Sequence, residues 1–274
     1  MRNSLLLPIL LPLALMAGCK TIEVKESSFI RPDVQTKAKP LPEQAFENGT
    51  ALEVARPDGA LLRGVLVSRP GAELTLLYFG GNMFHLDESG KRVVAALQGC
   101  KVNVAIFDYR GYGRSSGMPN VANMSGDALA IYDALAARFP GKVAVHGQSL
   151  GSFVAAGLAQ ERPVRSVVLE TTATTALEMV ENSVPWYYKP FVTIKVDDAL
   201  GAVDNVKVAS RIQAPLLVLA GGKDKLTPAF MSQRVFDAAP VTRKQLVVLP
   251  DSHHNNVLAN PSTPAILCPF IEGA

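Results

Sequence analysis

Hydrophobic and polar positions change their period repeatedly between Leu52 and Leu249. Leu52 to Arg56 and Leu61 to Ser68 flank Pro57-Asp58-Gly59-Ala60, and an Asp-Gly turn between two such runs predicts an antiparallel hairpin. Short apolar runs follow at Leu74–Phe79, Val102–Phe107, Val143–Val145, Val167–Leu169, Leu216–Ala220 and Leu246–Leu249. Runs of this length, bounded by turn formers, predict buried strands. Between them Asp87–Gln98, Asp127–Arg138 and Phe153–Gln160 suit helices; Leu129, Ile131 and Leu135 recur at helical spacing, and Phe139-Pro140-Gly141 ends that segment. Strands alternating with helices predict an α/β domain over residues 48–274, with a mostly parallel sheet covered on both faces. One stretch, about 171–214, is too long for an ordinary connection and predicts a small insert.

Candidate chemistry is placed by these strand ends. Gly147-Gln148-Ser149-Leu150-Gly151 lies between a strand and a helix, with the serine at the apex of the turn. A serine held on so sharp a turn is strained, and small flanking residues let strand and helix approach. A hydroxyl needs a base to remove its proton, and the base needs an orienting acid. The chain has only four histidines: His85, His146, His253 and His254. Asp224 follows the Leu216 strand, and His253-His254 follows the Leu246 strand, so acid and base both sit just past strand ends in the order Ser, Asp, His. Asp224 also suits a plain turn. Asp108 precedes the serine and is expected to hold the Arg110 loop. Glu170, at the end of the Val167 strand, stands as an alternative acid. His146 is expected to pack at its strand end, and His85 to line the mouth or face solvent.

Four ordered segments resemble the α/β-hydrolase superfamily: Leu77-Tyr78-Phe79-Gly80-Gly81-Asn82, Phe107-Asp108-Tyr109-Arg110-Gly111-Tyr112-Gly113-Arg114-Ser115-Ser116-Gly117, the Ser149 turn, and the Asp224 and His254 loops. Together they look like the monoglyceride-lipase, lysophospholipase and depalmitoylase-like branch. The resemblance implies the α/β-hydrolase fold with a small cap insert at about 171–214. It assigns Ser149 as nucleophile, His254 rather than His253 as base, and Asp224 as the acid. It further implies an oxyanion hole from the N–H of Leu150 and a second from Asn82 or Met83. Gly80 replaces the family's usual histidine before Gly-Asn, a change that leaves the backbone donors intact. The insert holds the only tryptophan, in Val184-Pro185-Trp186-Tyr187-Tyr188-Lys189-Pro190-Phe191. Trp186 and Tyr187 are expected either to line an acyl pocket or merely to dock the insert.

The amino terminus adds a location. Arg2 precedes an apolar run, Leu5 to Ala17, that is short for a membrane span and carries Pro8 and Pro12; residues 1–18 read as a signal peptide. Leu15-Met16-Ala17-Gly18-Cys19 resembles a bacterial lipobox, which implies lipidation of Cys19 and, with Lys20 next, an outer-membrane protein facing the periplasm. Residues 19–47, with several lysines and prolines, read as a tether holding the domain off the bilayer. Cys100 and Cys268 remain, and an oxidising compartment permits them to pair without establishing it. A net charge of +3 without a basic, aromatic-rich patch gives no reason to expect a nucleic-acid partner. No Cys/His ligand spacing calls for a metal, and the chemistry needs no cofactor. The expectation is thus a lipid-anchored serine hydrolase acting on carboxylic ester or thioester bonds of a small-molecule or lipid acyl substrate. A peptidase or acyltransferase on the same residues, or a silent binding lipoprotein, are the alternatives, and the oligomeric state stays open.

Overall fold

The computed structural model describes residues 20–37, 39 and 41–273; residues 1–19, on which the signal-peptide and Cys19 lipidation readings fall, lie outside them. In chain order the strands are β1 (Lys20–Val24), β2 (Gly49–Ala55), β3 (Leu61–Val67), β4 (Leu74–Phe79), β5 (Val102–Phe107), β6 (Val143–Gln148), β7 (Val167–Glu170), β8 (Val192–Val196), β9 (Leu216–Gly221) and β10 (Lys244–Leu249). The helices are α1 (Glu26–Phe29), α2 (Asp33–Thr36), α3 (Leu86–Ala96), α4 (Val121–Arg138), α5 (Leu150–Glu161), α6 (Ala176–Ser183), α7 (Asp198–Gly201), α8 (Asn205–Ala209), α9 (Ala229–Ala238) and α10 (Thr263–Glu272). Eight strands form one sheet in the order β10-β9-β7-β6-β4-β5-β3-β2. It is parallel from β10 to β5, while β3 runs antiparallel to β5 and β2 antiparallel to β3. Each face of the sheet carries its own apolar core. One holds Leu77, Val145 and Leu169 against α4 and α5; the other holds Leu76, Ala144 and Val168 with α3 and α10. Strands buried on both sides explain why the sequence shows continuous apolar runs rather than alternation.

Three expectations are corrected here. Helix α4 begins at Val121, earlier than the apolar spacing indicates, because Asn120 and Asn123 form a reciprocal capping box. Prolines 261, 264 and 269 suggest a reduced final helix, yet α10 runs from Thr263 to Glu272. Pro264 sits in its first turn, where a missing N–H costs nothing. The largest correction concerns the tether. Its start is β1, which pairs in parallel with β8 of the insert, Lys20 opposite Val192 and Val24 opposite Val196. Ile30 is buried in the main core, and Asp33 accepts hydrogen bonds from the Gly113 N–H and from His85, 2.9 and 2.7 Å away. Of the segment's few apolar residues Val24 and Ile30 go inward, so it is an arm packed on the domain.

Among the described residues no helix is long and apolar enough to cross a membrane. Cys100 and Cys268 are joined as a disulfide, with their Cα atoms 4.8 Å apart. The bridge spans 168 positions and fastens the chain between α3 and β5 to α10. Closing so long a loop restricts the unfolded chain strongly. Replacing both cysteines by serine is expected to lower stability by about 2–4 kcal/mol. Urea unfolding of the two proteins checks this, and coincident midpoints would make the bridge incidental.

Candidate active site

Ser149 sits between the end of β6 and the first residue of α5, with φ 53° and ψ −114°. That conformation is costly for a non-glycine residue. It persists because its neighbours allow no slack. The Ser149 N–H donates to the Glu170 carbonyl on the adjacent strand, 2.9 Å away. A Cβ on Gly147 would lie 2.0 Å from the Gly151 carbonyl oxygen, and one on Gly151 would lie 2.1 Å from that of Phe79. Both positions therefore exclude every side chain, and the motif's two glycines follow from the close approach of α5 to β4 and β6. Leu150, opening α5, has an N–H with no intrahelical partner.

Acid and histidine are delivered by adjacent parallel strands. Strands β9 and β10 are in register at Gly221 and Leu249, and the Lys223 N–H donates to the Ser252 carbonyl at 2.9 Å, stitching the two following turns together. His254 Nε2 lies 2.8 Å from Ser149 Oγ, and its Nδ1 lies 2.8 Å from Asp224 Oδ2. The other Asp224 oxygen accepts from the N–H groups of Leu226 and Thr227, at 2.8 and 2.9 Å. Burial pushes the Asp224 carboxyl up, but the His254 imidazole and the Thr227 N–H and hydroxyl outweigh it and hold the group below its ordinary range. Thr227 was not singled out from the sequence. Its hydroxyl is 2.7 Å from Asp224 Oδ2 and 3.1 Å from His254 Nδ1. A hydroxyl residue three positions after an Asp, just before a helix, is the signal that marks such a turn.

The competing residues are engaged elsewhere. His253 is exposed, with Nδ1 3.2 Å from the Lys223 carbonyl. Glu170 lies in the interior; one oxygen is 2.9 Å from His146 Nε2 and the other accepts from the Leu258 N–H. Asp108 accepts from the Leu86 and Arg114 N–H groups at 2.7 and 2.9 Å, and burial pushes its carboxyl up to about 6 against the lowering effect of those amides. Arg110 itself is gripped by Asp127 through two bonds, 2.9 and 2.7 Å. The segment around Arg110 is therefore structural. His85, expected at the mouth or in solvent, is instead buried and paired with Asp33 of the arm.

The loop after β4 carries the remaining candidates. Gly80 cannot be the family's histidine here, because a Cβ would stand 2.1 Å from the Phe84 ring. The Tyr109 hydroxyl donates to the Gly80 carbonyl at 2.6 Å and steadies the loop. Asn82 borders the same cavity as Ser149. Met83 has φ 60°, and its sulfur lies 3.3 Å from the Arg31 guanidinium. The cavity measures about 150 Å³, and its apolar walls include Phe29, Ile30, Met124, Phe153, Met179 and Leu200. Trp186 and Tyr187 are not among them. They are 80% and 53% exposed, so the reading of these two as pocket residues is wrong. The pocket wall comes largely from the arm, α4, α5 and the helices of the insert.

A family profile described as serine aminopeptidase, S33, matches residues 75–196 and 189–258. This chain belongs to that family of α/β-hydrolases. It is 35% identical over 167 residues to the uncharacterized protein Rv2307c of Mycobacterium tuberculosis, a match covering 60% of this chain and 57% of that protein. The chain thus matches less than two thirds of that relative's length. It is 27% identical to the protein bem46 of Schizosaccharomyces pombe over 74% of this chain and 68% of the relative. Among solved structures, the Pyrococcus furiosus esterase Pf2001 shares the fold with a TM-score of 0.69 and 18% identity, covering 85% of this chain and 98% of the esterase. The Paleococcus ferrophilus monoacylglycerol lipase does so with 0.60 and 21%, covering 78% and 99%.

The lowered Asp224 carboxyl gives this S33 chain a definite acid response. Its folded value lies below the unfolded one of about 3.9. Its contribution to stability is therefore complete above about pH 4 and lost as pH falls through the folded value. The difference in unfolding free energy between wild type and Asp224→Asn is expected to be constant near neutrality and to shrink on acidification below about pH 4. Urea titrations across that range check it, and a difference that widens in acid would reverse the inferred sign.

Proposed function

We propose that the protein is a lipid-anchored serine hydrolase that cleaves carboxylic ester or thioester bonds by way of an acyl-enzyme. The reading rests on one observation: a single imidazole, His254, lies 2.8 Å from the Ser149 hydroxyl and 2.8 Å from the Asp224 carboxylate. Ser149 Oγ attacks the carbonyl carbon as its proton passes to His254 Nε2. Asp224, accepting from Nδ1–H, fixes the tautomer and stabilises the imidazolium. The tetrahedral oxyanion is met by the Leu150 N–H and by that of Asn82 or Met83. The intermediate collapses, the carbon–oxygen or carbon–sulfur bond breaks, and the imidazolium returns its proton to the leaving alcohol or thiol. Water repeats the sequence and releases the acid.

The cavity favours an acyl group over a peptide with a free amino end. A terminal ammonium needs a carboxylate to hold it once desolvated, and among the described residues lining the cavity there is none. An apolar space of about 150 Å³ resembles cavities that accept a benzene-sized guest, which corresponds to roughly six acyl carbons. The lipid anchor is read from the Leu15–Cys19 segment, and the Cys100–Cys268 bridge suits the oxidising compartment outside the inner membrane.

A fluorophosphonate probe is expected to label wild type and to leave Ser149→Ala unlabelled. Turnover of p-nitrophenyl esters should fall on the order of 10⁶-fold in Ser149→Ala and His254→Ala, and about 10⁴-fold in Asp224→Ala. Retained turnover in His254→Ala would remove the proposed base. Across esters of increasing acyl length, Phe29→Ala should move the optimum to longer chains while Trp186→Ala leaves it in place. The opposite pattern would return the pocket to the insert's aromatic loop.

A further inference from the structure

Among the described residues, the aromatic loop of the insert takes no part in the cavity wall and has no cover. Trp186 is 80% exposed, Tyr187 53%, Tyr188 55% and Phe191 49%. The rings are contiguous: Trp186 meets Tyr187 with centroids 5.8 Å apart, and Tyr187 meets Tyr188 at 4.7 Å. The loop that presents them is braced by its own backbone. The Tyr188 N–H donates to the Pro185 carbonyl and the Phe191 N–H to that of Tyr188, both at 2.9 Å. A contiguous apolar patch on a braced loop marks an interaction surface rather than scattered exposure.

The start of the arm arrives at the same place. Lys20 pairs with Val192, the residue directly after Phe191. Cys19 directly precedes Lys20 in the chain. Acyl chains on Cys19 would therefore enter a bilayer beside these rings. Lys20, Lys25, Lys189 and Lys195 are all exposed on the same two strands and their flanking turns, with Glu23 opposite Lys195 in the pairing. Trp and Tyr favour the level of lipid headgroups, and lysines there meet anionic phosphate. The helix before the loop reaches the active-site turns: Asn182, near the end of α6, donates to the Lys225 carbonyl at 3.3 Å, in the turn that carries Asp224.

We infer that the Trp186–Phe191 loop is a bilayer-contact surface, seated among anionic phospholipid headgroups when the chain is anchored through Cys19. The inference rests on the reading of Cys19 as the lipid-bearing residue. It replaces a domain held off the membrane with one whose insert is pressed against it, since β1 leaves no slack between anchor and loop. A second contact of this kind adds to the hold of the lipid chains.

Trp186 is the only tryptophan, so its emission reports the contact without a label. The full chain is reconstituted on vesicles of phosphatidylethanolamine and phosphatidylglycerol, floated, and compared with Cys19→Ala free in buffer. The expected result is flotation of wild type with Trp186 emission moved to shorter wavelength and quenched by brominated lipid. The triple change Tyr187→Ser, Tyr188→Ser, Phe191→Ser should float but lose the shift, with hydrolysis of soluble esters unchanged. Wild type that floats while its emission matches the free protein and resists quenching overturns the contact surface and leaves the anchor standing. Wild type that does not float overturns the anchor reading and the surface with it, so the flotation step separates the two failures. A shift that appears without vesicles and grows with protein concentration makes a second copy of the chain the occupant, and also overturns the inference.

Discussion

The hydrogen bond from the His254 imidazole to the Asp224 carboxylate is the contact on which the site depends. A buried carboxylate is unfavourable unless its lone pairs are met, and here four donors surround it: His254, the Thr227 hydroxyl, and the N–H groups of Leu226 and Thr227. With the acid fully engaged, the imidazole has one direction left for Nε2, and that direction is the Ser149 hydroxyl. The parallel pairing of β9 with β10 makes this possible, because strands in register end together and set their two turns side by side. On the far side, the steric limits at Gly147 and Gly151 fix the serine. Sheet register and close packing thus bring together groups 105 positions apart in the chain.

Much of this was legible because it is encoded locally. The runs at Leu74, Val102, Val143, Val167 and Leu216 are continuous and apolar, and each became a strand of the central sheet. The serine turn, the acid and the histidine each occupy a short motif at a strand end, so their positions follow from element order alone. Gly80 was visible as a departure, but its cause, the ring of Phe84, belongs to tertiary packing.

The pocket was not legible. Its wall includes Phe29 and Ile30, from a segment whose lysines, prolines and lack of period read as loose chain. That segment is ordered by partners far away in sequence, Val192–Val196 and the Gly113 and His85 groups, and no local pattern encodes such pairing. The converse error arose at Trp186. A sole tryptophan in an insert suggests burial, whereas the ring faces outward. Aromatic side chains carry enough polar character at their edges to serve at a boundary as well as in a core.

The disulfide divides the polypeptide unequally. Ser149, Asp224 and His254 all lie within the covalent ring closed by Cys100 and Cys268, whereas the arm that supplies Phe29 and Ile30 lies outside it. On warming, segments held only by packing and a few hydrogen bonds open before those inside a cross-link. The part of the pocket wall that the arm supplies therefore yields first, with Ser149, Asp224 and His254 still assembled: the cavity opens to solvent before its three polar groups part.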